Sequence, residues 1–435
     1  MRYRLLSEFA IPNSLFLAIL LSPLFTIGGC SPANPPDDGA STPIFNNTTD
    51  PTNDGATPIG SAACRACHAD VATLTRVHGH GQALKRVEGA APSYPTQGTR
   101  AGVPEPPDGH AWNDVSYVIG GYTHAALFVD ADGYVLTDGT AVTNTEWILE
   151  FPADGTTAGF AAYLPNQAAP LEYDYDCFRC HTTGPRAFSV ANPLTQDGRP
   201  GIRGTWAEPN VECEACHGPG SNHVPDPAAR KLFVDSTPQT CAACHTAGDD
   251  PDLIVAADGF INGNTQYAEL RASGGHAAFN CTICHDPHAS TIYAVDDGIR
   301  NDCTACHADQ NMALHENAVF TRGDYFEPLT CPSCHMPFAS KNASQAVPAI
   351  VGASGRMGDV RTHIFRIDVD PHGFAAIFTD GGTRVKTDSQ GRAAVTVDFV
   401  CLRCHTDDTA ADNSAFPLSL DFAAEIASQM HAPSE

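Results

Sequence analysis

One five-residue pattern, Cys-x-x-Cys-His, recurs eight times and takes sixteen of the 17 cysteines in this chain of 435 residues. The copies are CRACH (Cys64, Cys67, His68), CFRCH (Cys177, Cys180, His181), CEACH (Cys213, Cys216, His217), CAACH (Cys241, Cys244, His245), CTICH (Cys281, Cys284, His285), CTACH (Cys303, Cys306, His307), CPSCH (Cys331, Cys334, His335) and CLRCH (Cys401, Cys404, His405). A disulfide framework demands neither the two-residue spacing nor the histidine that always follows it. Zinc sites would need the motifs to combine in pairs and would leave that histidine unexplained. The pattern is the attachment signature of c-type haem. Two thiols add across the porphyrin's vinyl groups, the two intervening residues let one turn of chain straddle that edge, and the next residue is swung beneath the iron as its proximal ligand. Eight motifs imply eight haem c groups.

The rest of the composition agrees with a core made partly of cofactor. Aromatic residues are only 8 %, while 37 Gly and 33 Pro disfavour long regular elements. The expected fold is therefore a multihaem cytochrome c of mostly irregular chain and short α-helices wrapped around eight covalent haems. Two stretches punctuated by Gly turns, 112–140 and 362–400, read as small β-rich inserts. A helix is expected over 419–431, where Leu420, Ala423, Ala424 and Ala427 recur at helical spacing. Acidic residues outnumber basic ones by 50 to 24. No Lys/Arg stripe offers phosphate contacts, which excludes nucleic acid as a partner.

At the N-terminus, Arg2 and Arg4 precede a short apolar run ending Ile27-Gly28-Gly29-Cys30. This reads as a lipoprotein signal peptide over 1–29, with cleavage leaving Cys30 to be lipidated and the protein anchored to a membrane without spanning it. Ser31 after the cysteine favours the outer membrane, on its periplasmic or surface face. Residues 30–60 form the lipidated cysteine and a tether too polar to bury a core. The expected divisions beyond it are a first haem module with its β-rich insert (61–176), a haem-dense core (177–345), and a C-terminal part with the second insert, the eighth haem and the helix (346–435).

The sixth ligand of each iron separates electron transfer from catalysis. Eleven histidines lie outside the motifs, enough to saturate every iron. The candidates are His80, His124, His223, His276, His288, His315, His363 and His431, with His124 weighed against His78, His110 and His372 for the eighth place. His288 follows His285 by three residues, a span of at most roughly 10 Å. That is too short to carry the chain around a porphyrin, so His288 can bind only a neighbouring haem. His223, six residues after His217, falls under the same argument.

Three blocks, CEACHGPGSNH, GFINGNTQYAELRASGGHAAFNCTICHDPH and CPSCHMPFASK, resemble multihaem cytochromes of the c554-like type, related to the hydroxylamine oxidoreductase superfamily. The resemblance implies haems packed in parallel and perpendicular pairs, and distal roles for His223, His276 and His288. Catalytic relatives depart from all-histidine ligation, some through a C-x-x-C-K site that this chain lacks. With no residue marked as catalytic, the expected function is electron transfer in periplasmic or extracellular respiration. Its partners would be other redox proteins or an extracellular acceptor, and self-assembly into a filament is compatible with the same chemistry. The alternative is an oxidoreductase acting on a small nitrogen or sulfur compound at one open-site haem.

Overall fold

The computed structural model describes residues 54–435 apart from 142, 230–231, 233–236, 248–249, 313–314, 343–349, 352–354, 408–415 and 432–435. The signal peptide, Cys30 and most of the expected tether lie outside the described residues. Regular elements are short. The longest helices among the described residues, Ala69–Arg76 and Leu420–Ala427, have eight residues each. The second realises the expected C-terminal helix. Ser419 caps it by accepting the Phe422 amide, and its buried Ala423 and Ala424 pack against Val397 and Leu402. No helix among the described residues is long and apolar enough to cross a membrane.

The first β-rich insert is larger than its sequence signal. It forms a seven-stranded sheet of β1 (Leu84–Arg86), β2 (Val115–Gly120), β3 (Ala125–Asp130), β4 (Tyr134–Val135), β5 (Glu146–Ile148), β6 (Gly159–Ala161) and β7 (Leu171–Glu172). The order is β1-β2-β3-β4-β7, with β5 on β3 and β6 on β5. The β2–β3 register pairs Val118 with Phe128 and Ile119 with Leu127, and slips at a bulge between Val115 and Tyr117. Alternation sends Tyr117, Ile119 and Val129 to one face and Val118 and Phe128 to the other. The first face packs on Phe178, Trp206 and Tyr173, so the sheet rests directly on the CFRCH motif.

The second expected β-insert is corrected by the structure. Over 362–400 the described strands are Ile367–Asp368 and Val395–Thr396, paired in parallel, and Phe374–Ile377 is a 3-10 turn. The runs between its Gly turns are too short to propagate a ladder, and their backbone is used in isolated bridges such as Phe378 to Val385 and Val255 to Arg384. Ile364, Ile377, Phe378 and Val395 instead join the cluster around Phe260, Ile261 and Phe399. Among the described residues, apolar side chains are divided among seven such clusters, as expected where side chains alone do not fill the interior.

The β2–β3 turn depends on two glycines in left-handed backbone, Gly120 (φ 76°) and Gly121 (φ 80°). A Cβ on Gly120 would stand 2.5 Å from the Ala125 carbonyl oxygen. Strain of this kind costs roughly 1–3 kcal/mol. Gly120→Ala should therefore lower the thermal unfolding midpoint, and an unchanged midpoint would show that the turn relaxes freely.

Candidate metal centres

Each motif occupies about one turn of helix. CEACH and CPSCH lie wholly in the helices Cys213–His217 and Cys331–His335. In five others the histidine amide donates to the carbonyl of the first cysteine, four residues back: His68 (3.0 Å), His245 (2.8 Å), His285 (3.0 Å), His307 (2.9 Å) and His405 (2.9 Å). Residues four apart share a helix face, so this turn brings the first thiol and the imidazole to one side. CFRCH differs, with the His181 amide donating to Phe178 at 3.0 Å. Side-chain caps fix where some turns begin: Asp174 accepts the Asp176 and Cys177 amides, and Asp302 accepts that of Ala305.

Fifteen of the sixteen motif cysteines are free thiols, as covalent attachment requires. Several meet across motifs. Cys64 lies beside Cys213, Cys180 beside Cys244, and Cys241 beside Cys281. Cys303 likewise contacts Cys331. Motifs far apart in sequence are thus neighbours through the atoms that would carry the macrocycles.

The histidines pair in the same manner. All nineteen lie among the described residues, and seven motif histidines each face a histidine from outside the motifs. Ring-centroid separations are 6.3 Å for His68 and His223, 6.1 Å for His217 and His288, and 6.1 Å for His245 and His80. They are 6.0 Å for His285 and His363, 5.9 Å for His307 and His276, 6.0 Å for His405 and His315, and 5.7 Å for His335 and His431. Imidazole nitrogens bind a metal ion at about 2 Å, so two trans ligands hold their nitrogens about 4 Å and their ring centres about 6 Å apart. The Nε2 atoms of His335 and His431 stand 3.5 Å apart. Free thiols, one-turn motifs and facing imidazoles all fit haem c.

The family described as cytochrome c554 and c-prime matches residues 163–218. The dissimilatory sulfite reductase MccA of Wolinella succinogenes is 22 % identical over 283 residues, which are 52 % of this chain and 38 % of that protein. The C-type polyheme cytochrome OmcC of Geobacter sulfurreducens is 26 % identical over 171 residues, 37 % of this chain and 20 % of the relative. The chain thus spans no more than 38 % of the length of these relatives. The solved octaheme sulfite reductase MccA of Wolinella succinogenes shares the fold, with a TM-score of 0.53 at 16 % identity, covering 88 % of this chain and 71 % of that one. The chain is a multihaem c-type cytochrome.

One motif of the cytochrome stands apart. No histidine ring among the described residues faces His181, whose Nδ1 lies 3.2 Å from the Ala83 carbonyl at the start of β1. His124, the histidine expected to complete the eighth pair, is half-buried with its Nδ1 3.9 Å from Asp359. His78 is spent locally, its Nδ1 accepting the His80 amide at 2.9 Å. His110 is half-buried and His372 exposed. A polar cavity of about 350 Å³, lined by Tyr175, Asp176, Arg179, Ala242, Ala243, Thr246 and Pro251, lies between CFRCH and CAACH.

Partners on the second ring nitrogen set the orientation of the imidazoles, leaving Nε2 for a metal. Nδ1 lies 3.2 Å from Gln266 Oε1 in His245, 2.9 Å from the Phe365 carbonyl in His335, and 3.0 Å from the Phe416 carbonyl in His405. His288 has a carboxylate partner. Asp286 accepts both its amide and its Nδ1–H at 2.9 Å, and is itself held by Arg300 at 3.1 Å. His363 is positioned by the fully buried Glu269, which accepts its amide at 2.7 Å and the Thr265 and Thr362 hydroxyls. Burial pushes the His363 imidazole down to about 3 and that of His80 well below its ordinary range. These rings stay neutral, the form that coordinates iron. Asp286 was legible in CHDPH as a carboxylate two residues from a candidate ligand. Glu269 gave no signal, because its three partners come from segments remote in sequence. His288→Ala should turn one low-spin ferric haem high-spin in electron paramagnetic resonance at unchanged haem content, whereas a spectrum identical to the parent would remove His288 from the ligand set.

Proposed function

We propose that the cytochrome is an octahaem electron-transfer protein, with haem c on each of the eight motifs and seven irons held between two histidines. The seven imidazole pairs carry this reading. An iron with a histidine on each side has no position left for substrate and is suited to electron exchange. Each haem supplies a one-electron ferric/ferrous couple. The chain contributes the spacing and the cross-links. His223 follows the CEACH motif yet faces His68, His288 follows CTICH yet faces His217, and His276 precedes CTICH yet faces His307. The cysteine contacts add CRACH to CEACH, CFRCH to CAACH, CAACH to CTICH, and CTACH to CPSCH. Together these links support a connected series of haems. The same reading includes a lipid anchor at Cys30 and a redox protein or extracellular acceptor as partner.

One observation favours a second reading. His181 has no facing imidazole, so a haem at Cys177 and Cys180 would keep an open position for a small nitrogen or sulfur compound. The name of one relative, a dissimilatory sulfite reductase, points to the same class of substrate.

Mass spectrometry of the intact protein should find eight haem additions, and fewer would refute the octahaem reading. Electron paramagnetic resonance of the oxidised protein should find seven low-spin haems and one high-spin haem perturbed by sulfite or nitrite. A wholly low-spin spectrum, silent to both ions, would leave electron transfer alone, and more than one high-spin haem would overturn the seven pairings.

A further inference from the structure

Where the CPSCH and CLRCH motifs meet, two guanidinium groups share one buried carboxylate. The Arg403 side chain is 1 % exposed and that of Glu327 8 %, with Arg361 more open at 28 %. Arg403 donates to both Glu327 oxygens, at 3.2 and 3.0 Å, and Arg361 donates to one of them at 2.8 Å. The Ser333 and Tyr325 hydroxyls complete the carboxylate's shell at 2.9 and 3.0 Å. Despite its burial, the two arginines hold Glu327 down at about 2, so it is charged. Arginine does not deprotonate in proteins. Among the described residues neither guanidinium forms an ion pair with a second carboxylate. The cluster therefore carries one excess positive charge.

Its remaining hydrogen bonds tie it to haem-bearing backbone. Arg361 donates to the Pro332 and Met336 carbonyls, each at 3.1 Å, and Arg403 donates to the Ser333 carbonyl at 3.3 Å. Arg403 itself sits between Cys401 and Cys404. A buried ion cluster of unequal charge costs desolvation energy that its own pairing does not recover, and apolar residues would serve stability as well. A poorly screened positive charge, however, favours whichever state of a neighbouring redox centre carries the extra electron.

We propose that Arg403, Glu327 and Arg361 are potential-setting residues, whose single excess positive charge raises the reduction potentials of the haems at CPSCH and CLRCH and makes these two the electron sink of the series. The proposal rests on the reading that both motifs carry haem c.

The test is a set of variants read by optically monitored redox titration, with haem content by mass and low-spin signals by electron paramagnetic resonance followed in parallel. Arg361→Gln removes a positive charge at the most open position and should move two of the titrating haems to lower potential. Glu327→Gln removes the negative charge and should move the same two to higher potential. Arg361→Lys keeps the charge and should restore the parent titration. Loosened packing would shift both charge-removing variants in one direction, so opposite signs are the signature. Unchanged potentials, or shifts of one sign in variants with full haem content, would overturn the proposal. If the parent protein carried no haem on the peptides holding Cys331 and Cys401, the octahaem reading itself would fail, independently of the titrations.

Discussion

The architecture depends on keeping a gap open. Seven imidazole pairs stand 5.7–6.3 Å apart between ring centres, the separation that a shared metal ion requires. Partners are separated by as few as 31 residues (His276 and His307) and as many as 165 (His80 and His245). Closing the longer loop costs only roughly 1.5 kcal/mol more than closing the shorter one, because closure entropy grows with the logarithm of length. Remote pairings are therefore as accessible as near ones. What must be supplied is something that joins the two rings, and haem iron would do so while its macrocycle would present apolar surface that the scattered side-chain clusters lack.

Short cross-links follow from the same constraint. A histidine a few residues from a motif cannot reach the far face of that motif's own haem, so it would serve a neighbouring one. His288 beside His217 and His223 beside His68 are this geometry twice over. The helical turn of each motif sets one imidazole, a neighbouring motif's flank sets the other, and neither pocket can form without its neighbour. Folding and the ordering of cofactors are in this sense one process.

Legibility in the sequence tracked range. The motifs, their one-turn geometry and the C-terminal helix are local and were readable. The reach argument extended this to His288 because it needs only chain length. The β-inserts were misjudged in opposite directions. The first recruits Leu84–Arg86 and Leu171–Glu172, which carry no alternation of their own, and the second loses its ladder because its short runs find bridges elsewhere. His124 looked like a ligand by counting alone. Its place near Asp359, 235 residues further on, is a tertiary fact that no local pattern announces.

Charge supplies the last element of this logic. The chain is acidic overall, with a formal net charge of −26, yet surface charges are screened over about 8 Å in physiological salt. They act weakly on buried centres. Arg403, Arg361 and Glu327 lie in the interior beside two motifs, where one excess charge outweighs many at the surface. Burial determines which charges count, just as it keeps His80 and His363 neutral for iron. An identical tally of acidic and basic residues arranged on the surface would leave the haems nearly indifferent to it, so the energetic direction of the series is set by a few interior side chains.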